Sequence, residues 1–468
     1  MAGTMSDEGE QNRRLRERLR RELGSLRAEF AAWLTLRRKQ DVAEQHASQF
    51  MAIEACIDGA ARGLTKHLDA LDLGLPRGAF AEQCRRHDLR ILWLRRLWRF
   101  FRERLDQRDD ARLAPLLRAA DEVVWSAWRS VFERAPTLGL NVTSGPAPLP
   151  FIDLEHSPAA TPRTWVSREL SRDGGPLLAE HLERLPIALI HLPVASVASP
   201  WWLVFIGHEV GHHVQHHLGL VEGFQAQLKQ AVLRSATDLK LTDAALAAER
   251  WGRWSQEVFA DVYSVVSFGT AAVRALVEFE QHPDAGMGVP RDRYPAAAVR
   301  LHLMVRTAER LGLSGAQASL NGLDPRALVA GVELAEEDLR LVDTVVKASL
   351  AELPGSDVSL TELLGFDARH FELRWPAIPT PFDVTGPRRM AGAALEAWAR
   401  TEAMPLMGDA SALDALADTV KQLIGEKRLP ERRGGAKPPG APLNGDGLLD
   451  VLLGMDPARL EAAARGAA

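Results

Sequence analysis

The sequence contains few cysteines and no uninterrupted apolar run long enough for a membrane helix. The two cysteines, Cys56 and Cys84, are too few for a disulfide framework or a thiolate metal site. The first residues, MAGTMSDEGEQ, lack the apolar stretch of a secretory signal. The most apolar segment, 186–206, is about the length of a membrane span, but Pro193 and Pro200 interrupt it. These absences predict a cytoplasmic protein that is not integral to a membrane.

The composition is typical of a globular protein with more than one unit. Its 468 residues exceed the usual size of a single domain, and an apolar fraction of 46% is enough for a sizeable core. Charged residues make up 25% of the chain, and the formal net charge of −5 gives no overall indication of a nucleic-acid or membrane partner. The richness in Ala, Leu and Arg suggests a bacterial source with high-GC coding.

Hydrophobic periodicity divides the chain into several regions. From residue 11 to 135, apolar positions recur at three- and four-residue steps, which predicts a bundle of about four helices. A stretch rich in Pro, Gly, Ser and Thr follows. The predicted regions are an N-terminal helical bundle (1–137), a long loop (138–165), a central domain (166–315), a C-terminal helical region (316–430), and a flexible linker with a short terminal helix (431–468).

One short strand and a series of helices are predicted after the loop. The run Pro186–Leu192 is β-prone, and its flanking prolines favour an edge strand over a central one. Ser199 and Pro200 suit the first positions of a helix that we expect to end at Gly219. Further helices are predicted at about 223–237, 242–268, 295–312, 334–351, 386–403 and 410–426. The predicted fold is therefore predominantly α, an α+β protein with a small sheet.

Residues 208–212 read His-Glu-Val-Gly-His on a predicted helix. Because His208 and His212 are four residues apart, their imidazoles project from one helical face and can bind one ion. Glu209 lies about 100° round the helix, where its carboxylate can reach a water on that ion. By chance this pattern occurs in roughly a few per cent of chains of this length, so it is not decisive alone.

A second pattern supplies the remaining ligand. The sequence EVFAD, which begins at Glu257 and ends at Asp261, lies within a predicted helix. Glu257 can be the third ligand, and Asp261 on the same face can accept a hydrogen bond from a metal-bound histidine. Three protein ligands leave a position for water, as in catalytic zinc sites. The pattern predicts one Zn²⁺ per chain on His208, His212 and Glu257, with Glu209 as general base, although other divalent metals can bind such donors.

These motifs resemble those of the zincin metallopeptidases. HEVGH followed by EVFAD is similar to the gluzincins of the HtpX-like and CAAX-prenyl-protease group, which carry H-E-x-x-H and a downstream E-x-x-A-D helix. That group also has a later His-Pro motif with an arginine a few residues on. Here Tyr294, Pro295 and Arg300 form YPAAAVR, with tyrosine in place of histidine. The resemblance covers about 185–310 and implies a zincin-like core that hydrolyses peptide bonds.

The resemblance also implies roles for further residues. A Tyr or His of gluzincins often donates to the developing oxyanion, which would be the role of Tyr294; a phenol packed in the core beneath the helix is an equal alternative. Arg300 is a candidate for contact with substrate or for positioning the ligands. The strand Pro186–Leu192 matches the zincin edge strand that pairs with an extended peptide, which favours a protein or peptide substrate. Since no convincing membrane helix is present, a membrane-embedded or prenylated substrate is not expected.

Aromatic and histidine residues near the motifs carry weaker signals. Trp201 and Phe205 precede the two ligand histidines by seven residues, which favours core packing on the same helical face over a substrate pocket. Tyr263 is expected to point away from the site. Three more histidines follow on the same helix, and their spacing favours contacts with solvent or loops. They are His213, His216 and His217.

Basic helices indicate a second class of function. Residues 11–40 carry ten basic side chains against three acidic ones, and the run Arg85–Arg104 interleaves arginines with aromatic residues. Such helices can bind nucleic acid or an anionic membrane, but more often they bury the aromatics and solvate the arginines. The alternative to a peptidase is a non-enzymatic, zinc-stabilised binding protein acting through these helices. An alternative within the same site is a regulatory protease that cleaves a repressor or partner protein.

Overall fold

The computed structural model describes residues 2–39, 46–140, 142, 145–153, 159–161, 187–280, 287–291, 293–380, 382–402, 410–426 and 445–454. Residues 162–186 and the predicted linker up to residue 444 lie outside the described residues. The helices are α1 (Ala2–Arg38), α2 (Ala47–Asp69), α3 (Arg77–Asp106), α4 (Ala114–Arg134), α5 (Ile206–His217), α6 (Val221–Leu239), α7 (Ala244–Arg253), α8 (Ser255–Phe268), α9 (Thr270–Glu280), α10 (Ala297–Arg310), α11 (Pro325–Leu328), α12 (Glu333–Ser349), α13 (Leu360–Leu364), α14 (Gly386–Glu402), α15 (Ala410–Glu426) and α16 (Gly445–Gly454). The strands are β1 (Leu149–Asp153), β2 (Ala159–Thr161) and β3 (Leu189–Pro193).

The predominantly helical class predicted from the sequence is confirmed, and a single small sheet accompanies the helices in the described part of the chain. The buried apolar side chains form two clusters. We call the first the N-terminal core; it unites α1, α2, α3 and α16. The second, the main core, unites the helices from α4 to α15. In the described residues, no helix combines the length and apolarity that crossing a bilayer requires.

The N-terminal core forms because α1 keeps one apolar face over its length. Leu19, Leu23 and Phe30 of this face are buried, whereas Glu22 is half-buried and Glu29 is exposed. Helix α1 packs against α2 and α3, and α16 packs against α2. The four predicted N-terminal helices all occur, but the buried side chains of α4 belong to the main core.

The small sheet lies between the two cores. Because side chains alternate across a strand, Leu189 of β3 joins the N-terminal core while Ile190 and Leu192 join the main core. In β1, Leu149 joins the N-terminal core and Ile152 joins the main core. A strand that is buried on both faces reads as a continuous apolar run, which is why PIALIHL stands out in the sequence.

The prediction that this strand is an edge strand is wrong. The strand order is β1-β3-β2, so β3 is central, parallel to β1 and antiparallel to β2. Its proline, Pro193, is the last residue of the strand and therefore does not interrupt the ladder. An extended peptide cannot pair with β3 in the way the sequence analysis expected, because both edges of this strand are occupied.

Two predicted helices have different bounds in the structure. The segment from Pro200 to Phe205 is a 3-10 helix, and the α-helix begins only at Ile206. The α-helix, α5, ends where the sequence predicts, just before Gly219, which has a φ of 66°. The predicted helix 242–268 is two helices, α7 and α8, with Trp254 between them. Helix α9 was not predicted; it follows Gly269, which has a φ of 64°.

Candidate metal centre

Helices α5 and α8 bring the two motifs together, and glycines of α5 allow their close approach. A Cβ atom on Gly211, the glycine of HEVGH, would lie 2.9 Å from the Cα atom of Ala260. A Cβ on Gly207 would lie 2.6 Å from the ring of Phe268. Any larger residue at these positions would push the helices apart. The glycine inside the motif is therefore explained by packing, which places the ligands of one helix against those of the other.

Three potential ligands converge on one point between these helices. The Nε2 atoms of His208 and His212 are 3.2 Å apart. Glu257 Oε2 lies 3.2 Å from Nε2 of His208, and Oε1 lies 3.7 Å from Nε2 of His212. All three ligand atoms lie within 4.8 Å of one another, so the group can hold a metal ion. The predicted ligand set is thus brought together in the structure.

The donor atoms fit a divalent cation. Glu257 Oε2 is buried without a hydrogen-bond partner. Nδ1 of His208 lies 2.9 Å from Asp261 Oδ1. A proton on that nitrogen leaves the lone pair of Nε2 directed at His212 and Glu257. Two imidazole nitrogens and a carboxylate oxygen that face one another in a buried site are the usual ligands of a bound ion.

Asp261 is itself fixed by Arg300. The Nε and Nη2 atoms of Arg300 donate to the two oxygens of Asp261 at 2.9 and 2.8 Å. Burial opposes ionisation of Asp261, but the Arg300 guanidinium and His208 hold the pKa of this carboxyl well below its usual range. Arg300 Nη1 also lies 3.5 Å from Glu280 Oε1. Arg300 is buried and directed at Asp261, which makes it a positioning residue.

The surroundings of His208 and His212 shift their pKa values in opposite directions. Burial opposes protonation of His208, yet the neighbouring carboxylates of Asp261 and Glu257 raise its pKa to about 10. Burial lowers the pKa of His212 to about 4, although Glu257 acts against this shift. The site therefore favours one positive charge close to its carboxylates. A metal ion bound by His208, His212 and Glu257 would take the place of that proton and supply the positive charge.

Glu209 and Tyr294 both line a cavity of about 300 Å³ beside the ligands. Glu209 is only 6% exposed, and burial raises its pKa to about 7. Tyr294 is 39% exposed, so it is not the core phenol of the alternative interpretation. Burial and the Glu257 carboxylate raise the pKa of Tyr294 to about 12, and its ring lies 5.4 Å from Cζ of Arg300. Both side chains therefore border the same cavity as the potential ligand His208.

The other residues singled out in the sequence lie elsewhere. His213 is buried, and its Nε2 donates to the carbonyl of Leu189 at 3.0 Å, so the expected solvent or loop contact is wrong. This bond joins α5 to β3. Tyr263 points away from the site, as expected, and donates to the carbonyl of Ala127 at 2.7 Å.

The two aromatic residues before the motif have different fates. Trp201 packs in the core as expected, with its ring 5.4 Å from that of Trp398. Phe205 is half-buried and packs against the main core, and it also lines the cavity.

Sequence reasoning missed the cavity wall that α9 supplies. Leu276, Phe279 and Glu280 of this helix line the cavity with Arg291. The apolar residues of TAAVRALVEF recur at helical spacing and could have predicted the helix. The sequence does not show, however, that this helix lies close to the ligands.

The basic helices of the N-terminal core are internally paired. Arg18 of α1 donates to Asp88 of α3 at 2.6 Å, and Arg38 donates to Glu54 of α2 at 2.6 Å. The aromatic residues of α3 are buried, as an ordinary amphipathic helix requires. These arginines therefore neutralise acidic groups of neighbouring helices.

No protein-family model, curated protein or solved structure matches the chain. The resemblance to gluzincins therefore rests on the HEVGH, EVFAD and YP-x4-R motifs. What the described residues add is that all three motifs meet at one buried cluster of potential metal ligands.

Proposed function

We propose that this protein is a zinc-dependent metallopeptidase of the gluzincin type. The observation that carries the proposal is the convergence of His208, His212 and Glu257 within 4.8 Å. This cluster borders a cavity that Glu209 and Tyr294 also line. A structural metal site needs neither an open cavity nor a second carboxylate at its side, whereas a hydrolytic site needs both.

Zinc is the ion that this donor set favours. Two imidazoles and one carboxylate are a common catalytic zinc set, and they leave one coordination position for a water or substrate. Asp261 favours metal binding because its contact with Nδ1 fixes the ring of His208, and Arg300 in turn holds Asp261 in place. A zinc ion held there would acidify a water and polarise the carbonyl of a peptide bond.

Glu209 is proposed to move the protons of the reaction. Its carboxylate is buried beside the ligands, and a pKa raised to about 7 by burial suits a group that accepts a proton and later releases it to the leaving amine. Tyr294 is proposed to donate a hydrogen bond to the oxyanion. Because its pKa is raised to about 12, its hydroxyl keeps its proton at neutral pH.

Protein or peptide is the proposed substrate. The alternative, a non-enzymatic zinc-stabilised binding protein, depends on basic N-terminal helices that are free to bind a partner. The ion pairs of Arg18 with Asp88 and of Arg38 with Glu54 weaken it, because they use those charges within the N-terminal core. A regulatory protease that cleaves a repressor remains within the proposed activity.

Elemental analysis of the purified protein tests the metal. We expect about one zinc per chain in the wild type and none in His212→Ala. His302→Ala is the matched control, a partly buried histidine of α10 that should leave the zinc content unchanged. Well-folded wild type that takes up no zinc would overturn the proposal.

Cleavage of a peptide mixture then tests the chemistry. Glu209→Gln should retain zinc and lose hydrolysis, because an amide cannot accept the proton. Glu249→Gln, an exposed glutamate of α7, should behave as the wild type. If the Glu209 variant hydrolysed peptides at the wild-type rate, Glu209 would not be the base. If zinc-loaded wild type cleaved nothing, the binding alternative would be favoured.

A further inference from the structure

The cavity beside the ligands has one apolar wall and one polar wall. The polar wall carries His208, Glu209 and Tyr294. The apolar wall comes from three elements: Phe205 of the 3-10 helix, Leu276 of α9 and Met304 of α10. Whatever occupies this cavity lies against the proposed reacting groups on one side and against hydrocarbon on the other.

Burial distinguishes the interior of the cavity from its mouth. Ala275, Leu276 and Met304 are almost fully buried and form the interior. Phe279 and Tyr294 are 36% and 39% exposed and form the rim. The apolar part of the lining is therefore buried, and two partly exposed aromatic rings lie at its edge.

Its size fits one large side chain. A cavity of about 150 Å³ lined by apolar residues is known to bind benzene. The volume here is about 300 Å³. This is enough for an aromatic or branched aliphatic side chain together with a part of its backbone.

Three acidic groups line the cavity, and they are Glu209, Asp261 and Glu280. Glu209 is the proposed base and Asp261 is held by Arg300, which leaves Glu280 as the group that could pair with a cationic side chain of a substrate. Glu280 is buried, but Oε1 lies 3.5 Å from Nη1 of Arg300 and Oε2 lies 3.5 Å from Nη2 of Arg291. Two guanidinium groups thus already face this single carboxylate. A lysine or arginine side chain of a substrate would add a third positive charge near them, which costs free energy.

We propose that this cavity is a specificity pocket for a large apolar side chain, such as leucine or phenylalanine, next to the bond that is cleaved. The inference rests on the proposed peptidase function, since the pocket selects among peptides only if they are hydrolysed. Ala275, Leu276 and Phe279 are the residues that determine the selection. Burial of such a side chain gives about tenfold or greater preference over alanine at that position.

The first experiment maps cleavage sites by mass spectrometry, using zinc-loaded full-length protein and a peptide mixture of known sequences. The wild type should cleave beside leucine, phenylalanine or similar residues. Ala275→Phe fills the interior and should shift cleavage towards small residues, with zinc content unchanged. Phe279→Ala alters only the partly exposed rim and should reduce the apolar preference if Ala275→Phe does not fold. Leu92→Ala is the matched control, because Leu92 is also 36% exposed but lies on α3, which does not line the cavity.

A second experiment needs no hydrolysis. N-acetyl-leucinamide and N-acetyl-serinamide are titrated into the protein, and binding is followed by saturation-transfer NMR. The leucine probe should bind more strongly than the serine probe, and Ala275→Phe should abolish the difference. If the protein hydrolyses peptides without a preference for apolar side chains, the proposed specificity pocket is overturned and the proposed peptidase function stands. Leucine-selective binding without hydrolysis supports the apolar cavity and overturns the peptidase. Preference for lysine or arginine overturns the pocket as proposed.

Discussion

The guanidinium of Arg300 contacts both carboxylate oxygens of Asp261, and Asp261 in turn contacts the ligand histidine His208. Two parallel hydrogen bonds fix the plane of the carboxylate, which a single lysine ammonium cannot do. The orientation of His208 therefore depends on α10, a helix that supplies none of the three ligands. In the proposed zinc site, the affinity for the ion should therefore depend on Arg300, which does not touch it.

Replacement of Arg300 by lysine should weaken zinc binding. We expect a loss of about 10- to 100-fold in affinity, as is usual when a group that orients a ligand histidine is altered. Competition with a chromophoric chelator measures it. Arg306→Lys is the control, since Arg306 of the same helix pairs with the exposed Asp343. Equal affinities of the two variants would show that Arg300 does not position the ligand.

Replacement of Tyr294 by phenylalanine should lower kcat and leave the zinc content unchanged. Loss of one donor to an oxyanion costs about 10²- to 10³-fold in kcat, whereas the apolar contacts of the ring remain. Steady-state kinetics on a peptide identified in the cleavage experiment separates kcat from KM. An unchanged kcat would assign Tyr294 to the rim of the cavity alone.

Gly211→Ala should destabilise the main core. The new Cβ would lie 2.9 Å from the Cα of Ala260, a backbone atom that can move only with α8. We expect the free energy of unfolding to fall by about 1–3 kcal/mol, measured in urea. Gly24→Ala in α1 is the opposite control. Nothing lies within 4 Å of its new Cβ, so the variant should gain about 0.5–1 kcal/mol.

The buried carboxylate of Asp121 should make stability depend on acid pH. Burial opposes its ionisation, but Arg108 at 2.6 Å and His46 at 3.1 Å hold its pKa well below the usual range. A lowered folded-state pKa adds stability that is complete above the unfolded value of about 3.9 and is lost as pH falls below it.

Asp121→Asn leaves Arg108 buried without a charged partner at this position, so it should cost about 3–5 kcal/mol at pH 7. The difference from wild type should shrink as the pH falls below about 4, because Asp121 then takes up a proton in the unfolded wild type but stays ionised in the folded protein, which lowers the stability of the wild type. Urea unfolding at pH 7 and pH 3.5 measures both effects. Asp343→Asn, in an exposed pair, is the control. A penalty that stays constant with pH would contradict the ion pair.

The ligand cluster was predictable because its determinants are local. The spacing of His208 to His212 and of Glu257 to Asp261 fixes each pair on one helical face, whatever the rest of the fold. That these faces meet depends on Gly207 and Gly211, whose small size permits the contact. The sequence shows the glycines but does not show which helix they face.

The central position of β3 could not be predicted from its own residues. Prolines near a strand indicate an edge only when they fall within the ladder, and Pro193 falls at its end. The partners that cover β3 are β1 and β2, and their pairing depends on contacts far along the chain. The cavity wall from α9 was missed for the same reason, because long-range proximity has no local pattern.

Helix α16 completes the N-terminal core: Leu449 fills the space left by the absent side chain of Gly63, and Arg90 donates to the carbonyls of Leu452 and Leu453. The first and last described helices thus share one hydrophobic interior. The helices of the main core lie between them in the chain, so the main core is joined to the N-terminal core at both of its ends. In topological terms the unit that carries His208, His212 and Glu257 is an insertion within its neighbour. A single cut between α15 and α16 would therefore not release the final fragment, which would stay bound through α2 and α3.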